Sequence, residues 1–114
     1  MSWRKYPWWG YVKAIIRAQH ERKGKQLAGA ARREYDAVEN AVNEALRMNY
    51  GALRVKLVDM VFWSKTHTLQ GAALALNISE HTAQRWHADF IKSVAVNMGI
   101  LDVDKKEGET NENS

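Results

Sequence analysis

Apolar residues recur at three- and four-residue intervals through five successive stretches of this chain, which predicts an all-α fold. The first stretch predicts a helix from Pro7 to about Arg22, since proline is tolerated at a first helical position. Trp9, Val12, Ile15, Ile16 and Ala18 form its stripe, Trp8 and Tyr11 widen it, and Gly24 breaks it. The second helix is expected from Gln26 to about Asn49, with Ala28, Ala31, Tyr35, Val38, Val42 and Ala45 at a/d spacing. Such a helix would be about 36 Å long at ~1.5 Å per residue. It serves either as an antiparallel partner of the first helix or as a dimer seam. The alanine-rich stripe specifies a seam weakly and favours the first use. Glu34, Asp36, Glu39 and Glu44 are expected to solvate its outer side.

Asn49-Tyr50-Gly51 reads as a break. A third helix follows from Ala52 to Ser64, with Leu53, Leu57, Val58, Val61 and Phe62 on one face. Thr66-His67-Thr68 is a connector ending in an N-cap at Thr68. The predicted organisation is an N-terminal helical hairpin over 1–50, a candidate oligomerisation element, then a three-helix module over 51–101. The hydrophobic pattern ends there, and 102–114 reads as a disordered acidic tail.

The segment Leu69 to Ala88 matches the steric demands of a helix-turn-helix. Ala73 is small where a second helix would cross the first. Asn77 tolerates positive φ at the turn, and Ser79 suits an N-cap. Ala72, Leu76, Ile78, Ala83 and Trp86 supply a shared apolar interior. On a helical wheel Ala83, Trp86, Phe90 and Val94 fall on one side, and His81, Gln84, Arg85, Ala88 and Lys92 on the other. Gly99 is expected to end this helix, with Ile100 folding back over its last turn.

The outer side suits a helix lying in a major groove of duplex DNA. A guanidinium matches the O6/N7 edge of guanine, so Arg85 is the first candidate for base readout. Gln84 suits adenine, and His81 can donate or accept at the groove edge. Ser79 and Thr82, near the helix start, are candidate phosphate contacts. Lys92, Arg54 and Lys56 are further candidates for the backbone.

Charge agrees with a polyanionic partner: the net charge is +4 over 114 residues. Residues 1–25 carry seven basic side chains, Lys13 and Arg17 among them, against Glu21 alone. This end could track phosphates. Composition is that of a soluble chain, 46% hydrophobic and 26% charged. Without cysteine there is no disulfide framework, no cysteine-ligated zinc and no thiol nucleophile. No stretch approaches the ~20 apolar residues of a membrane span, so no membrane partner is expected. Met1 to Trp9 lacks the apolar core of a secretory signal, and a cytoplasmic location is expected. The aromatic group Trp3, Tyr6, Trp8, Trp9 and Tyr11 could stack on bases or rest on a membrane. Packing against the second and third helices accounts for it more simply.

The layout resembles the small phage late-gene transcriptional activators of the RinA and ArpU type, whose C-terminal half is similar to region 4 of sigma factors. Tyr6-Pro7-Trp8-Trp9, Ile15-Ile16-Arg17, the long middle helix and the block Thr68 to Phe90 carry the resemblance. Within it, Ile78 to Trp86 is similar to a recognition helix of pattern S-x-x-T-x-x-R-W. The resemblance implies sequence-specific binding upstream of a phage operon, action with the RNA polymerase of a bacterial host, and a place in that cell's cytoplasm. The chain departs from the pattern at Ala72, where a bulky residue is usual, and at Gln70 and Gly71, where acidic residues are. Leu74 and Ala75 replace outward polar residues and could form an apolar contact with a second protomer, as a homodimer, or with another protein.

Two other readings are open. A phage terminase small subunit also joins a helix-turn-helix to a helical oligomerisation hairpin, although it usually places the DNA-binding part first. A helical protein-interaction module would not touch DNA at all. An enzyme is not expected. His20, His67, His81 and His87 form no HExxH pattern, and there is no glycine-rich phosphate loop and no G-x-S-x-G. No cofactor or metal is expected either.

Overall fold

Five α-helices and one π-helical turn, joined by short turns, lie within residues 6–101, the part of the chain that the computed structural model describes. Trp3 and the acidic segment 102–114 lie outside the described residues. Helix α1 (Trp9–Arg22) starts two residues after Pro7. Pro7 sits instead in a turn closed by the Trp9 N–H donating to the Tyr6 carbonyl at 3.1 Å. Val12, Ile15, Ile16 and Gln19 line its buried side.

Helix α2 (Gly29–Leu46) is shorter than its pattern predicts, because Ala28 is extended and Gly29 has a φ of +61°. Its buried face is also rotated. Glu34, Ala37, Val38, Ala41 and Ala45 point inward, whereas Ala31, Tyr35 and Val42 flank that face and Ala28 is exposed. The a/d reading assumed one partner helix. In the fold α2 packs on both α1 and the last helix, and its alanines allow the close approach that two neighbours need.

The acidic residues of α2 do not simply solvate it, as the sequence suggested. Glu34 accepts from the Tyr11 hydroxyl at 2.6 Å and from Arg22 Nη1 at 2.8 Å. Burial pushes its carboxyl up, but these two hydrogen bonds together with the charges of Arg22 and Arg33 outweigh it, and its pKa lies below the ordinary value. Glu39 accepts from Gln19 Nε2 at 3.1 Å, and Glu44 accepts from Ser93 Oγ at 2.6 Å. Asp36 alone matches the expected role, in an exposed i,i+4 pair with Arg32. Three carboxylates thus tie α2 to its neighbours.

Helix α3 (Gly51–Val58) follows a corner at Tyr50, which adopts the left-handed conformation with φ +60°. Gly51 is required there. A Cβ at that position would sit 2.8 Å from the Ala45 carbonyl oxygen and closer still to that of Leu46. The third helix was expected to run regularly to Ser64, but Asp59–Trp63 form a π-helical turn. Helices α4 (Leu69–Leu76) and α5 (Glu80–Asn97) complete the chain.

The main core joins Val12 and Ile16 of α1, Val38 of α2, Phe62 of the π turn and Ile91 and Val94 of α5. It therefore draws on both sides of residue 50. A smaller core holds Leu57, Ala72, Ala73, Ala83 and Trp86. Helix α5 runs through both, its first half in the small core and its second half in the large one. Among the described residues, no helix is long and apolar enough to cross a membrane.

Candidate nucleic-acid interface

The corner between α4 and α5 is built by local hydrogen bonds at residues the sequence singles out. Thr68 caps α4, its hydroxyl accepting from the Gly71 N–H at 3.0 Å. A Cβ on residue 71 would lie 3.2 Å from that hydroxyl, a tight contact that presses on the cap. Helix α4 ends where Asn77 turns left-handed, with φ +60° and ψ +44°. The Asn77 N–H donates to the Leu74 carbonyl at 3.1 Å and the Ile78 N–H to that of Ala73 at 3.0 Å, the two bonds of a Schellman motif. Ser79 then caps α5, accepting from the Thr82 N–H at 3.0 Å. The far end of α5 closes in the same way, with Gly99 at φ +78° and the Ile100 N–H donating to the Ala95 carbonyl.

Packing fixes the inner side of this corner. Ala72, Ala83 and Trp86 are buried against Leu57, with Leu76 and Ile78 partly buried around them. Trp86 is held on a further side by Arg54, whose Cζ lies 5.0 Å from the indole ring, and by Tyr50 at 6.0 Å. Arg54 was expected to reach a phosphate. Its Nε instead donates to the Asn49 carbonyl at 2.9 Å, and its Nη1 lies 3.5 Å from Asp89 Oδ2. Lys56 is exposed.

The outer side presents His81, Gln84 and Arg85 to solvent. The expected outer row breaks at Ala88, which is buried in the main core. The helical wheel placed it outward, because a wheel does not register that further helices cover the second half of α5. Lys92 is half-buried beyond it, about 16 Å along the helix axis from His81. Three of the predicted residues therefore share one exposed surface of two turns, and Lys92 is set apart from them.

The start of α5 carries its own anion. Glu80 Oε2 accepts from Gln70 Nε2 at 2.9 Å and from Gln84 Nε2 at 3.3 Å, linking α4 to the outer row. The Ser79 and Thr82 hydroxyls bond each other at 2.9 Å. A phosphate at this helix start would meet the Glu80 charge, which opposes the helix dipole's attraction. The Glu80–Gln84 half of this clasp has a visible sequence signal, an i,i+4 acceptor–donor pair. The Gln70 half has none.

One group of polar residues was not anticipated. The His87 imidazole stacks on Phe62, with centroids 5.3 Å apart and planes 1° from parallel. The Arg17 guanidinium lies 5.9 Å from the same Phe62 ring. Burial holds the His87 pKa down to about 4, and the nearby charges of Lys13 and Arg17 lower it as well. Lys13 and Arg17 are spaced i,i+4, which puts them on one face of α1, but nothing in the sequence pairs that face with α5.

The aromatic residues mostly pack. Trp9 is buried, Trp8 packs against the main core, and Tyr6 stacks on Trp8 at 5.0 Å. A cavity between α2, α3 and α5, bordered by Met48, Val58 and Trp86, measures about 20 Å³. That is room for one water, far below the roughly 300 Å³ at which small-molecule sites begin. Among the described residues no group of three or more His, Asp or Glu is placed to hold a metal. Comparison with protein-family models, with curated proteins and with solved structures finds no match to this chain.

Proposed function

We propose that this chain is a sequence-specific binder of duplex DNA that acts through a helix-turn-helix made of α4 and α5. One observation carries the reading. His81, Gln84 and Arg85 are exposed on the first turns of a capped helix whose opposite side is locked by buried Ala83 and Trp86. A rigid helix with a polar, cationic outer face is what base readout in a major groove requires. From His81 to Arg85 the reading surface extends about 6 Å, enough for roughly two base pairs at ~3.4 Å each.

Arg85 reads guanine, Gln84 adenine once it leaves Glu80, and His81 the neighbouring edge. The likeness to phage late-gene activators extends the proposal to transcription regulation together with a host RNA polymerase. Leu74, 83% exposed on α4, supports a protein contact on the same motif, with the polymerase or with a second copy of the chain.

Selection of bound duplexes from a random pool, followed by titration of the selected site against salt, tests this. A binder contacting about six phosphates loses on the order of a thousandfold in affinity between 50 and 200 mM salt. Weak binding that neither prefers a sequence nor responds to salt would overturn the reading in favour of a protein-interaction module.

A further inference from the structure

We propose that Arg17 of α1, which meets His87 of α5 at the Phe62 ring, and Lys13, one turn before it on the same face of α1, form a second contact to the same nucleic acid, a site for a backbone phosphate beside the reading turns. The inference rests on DNA binding by α5 and adds a helix that the helix-turn-helix does not include.

Three observations converge. Arg17 and His87 share one partner, the Phe62 ring, at 5.9 and 5.3 Å, so side chains from two helices meet at one place. Both charges that bear on His87 are positive, those of Lys13 and Arg17, and the π turn presents Phe62 to it. Positive groups brought together raise the local potential and favour an anion at that spot. The position is also suitable. His87 lies three residues beyond Gln84, about 4.5 Å further along α5, so the Phe62 ring that Arg17 shares with it is reached within one turn of the surface that enters the groove. A major groove is about 12 Å wide and walled by phosphates, so an element flanking the inserted helix meets the backbone. A phosphate is a monoanion with several acceptor oxygens, and it takes a guanidinium fork and an ammonium together.

The geometry assigns these residues no part in sequence choice, because phosphate contacts position a protein without reading bases. The test uses the full chain and its selected duplex. The double variant Lys13→Gln/Arg17→Gln is compared with Lys23→Gln/Lys25→Gln, a control that removes two exposed charges from the connector after α1. Losing the contact to one phosphate lowers the slope of log affinity against log salt by about 0.9, and lowers affinity on the order of eightfold at 0.1 M salt. The preferred sequence stays the same and the control changes little.

An unchanged slope in the Lys13/Arg17 variant, with the parent still binding its site, overturns the inference and leaves DNA reading by α5 standing. An equal loss in the control also overturns it, since the attraction would then be diffuse. A parent that binds no duplex removes both proposals.

Discussion

The indole N–H of Trp63 donates to the main-chain oxygen of Ile16 at 2.7 Å, joining the end of the π turn to the middle of α1. The same indole stacks on His20 at 4.6 Å and meets Phe90 edge-on at 6.5 Å. Trp63→Phe keeps an aromatic ring and removes the donor. Ile16 lies within α1, where its carbonyl has a helical partner, so the loss does not orphan a buried acceptor. Urea denaturation should show a destabilisation of about 1 kcal/mol, the net value of one such bond.

Trp86 fills the small core and is 5% exposed. Trp86→Ala should cost roughly 3–5 kcal/mol, read from thermal or urea unfolding. The cavity would open directly behind Gln84 and Arg85, so DNA binding should weaken together with stability. A variant that melts like the parent would show that the corner is held by something else.

His87 makes stability depend on pH. Its folded pKa of about 4 lies below its ordinary 6.5, so the unfolded chain takes up the proton first as pH falls. The contribution is complete above pH 6.5 and is lost progressively toward about pH 4, on the order of 3 kcal/mol in all. Glu34, with its pKa below the ordinary 4.5, adds a further loss at lower pH. His87→Gln should flatten the first part of a stability–pH curve and leave the second.

Arg85 is exposed and forms no part of either core. Arg85→Ala should leave the melting temperature near that of the parent. It should cost about 1–3 kcal/mol of affinity at the selected site and relax preference at one base position. Unchanged binding and preference would sink this residue's role.

Gly51 faces the end of α2 with no space for a side chain. Gly51→Ala forces the Tyr50 corner apart and should destabilise by about 3 kcal/mol, measured as a shift in the urea midpoint. Ala52→Gly, one exposed position further on, should cost under about 1 kcal/mol.

The helical content, the breaks at Gly24 and Tyr50, and the caps at Thr68, Asn77 and Ser79 are legible from residue types, because each depends on backbone within a few residues. A threonine hydroxyl three residues from an N–H, or an asparagine at positive φ, needs no distant partner. The exposure of His81, Gln84 and Arg85 follows from the period of one helix in the same way.

Other features depended on residues far apart in sequence. The rotated face of α2 and the burial of Ala88 arise because α2 and α5 each meet more than one helix, and a wheel drawn for one helix assumes a single inner side. The Glu34, Glu39 and Glu44 contacts, the commitment of Arg54 to Trp86 and the meeting of Arg17 with His87 at Phe62 are of this kind. A carboxylate or guanidinium on a helix surface carries the same local signal whether water or a neighbouring helix meets it. By itself the sequence determined that the chain is helical, the caps at Thr68, Asn77 and Ser79, and the polar outer row at the start of α5. Which side chains remain open to a partner was decided only by the packing of helices distant along the chain, since burial is a property of the assembled neighbours and not of the residue.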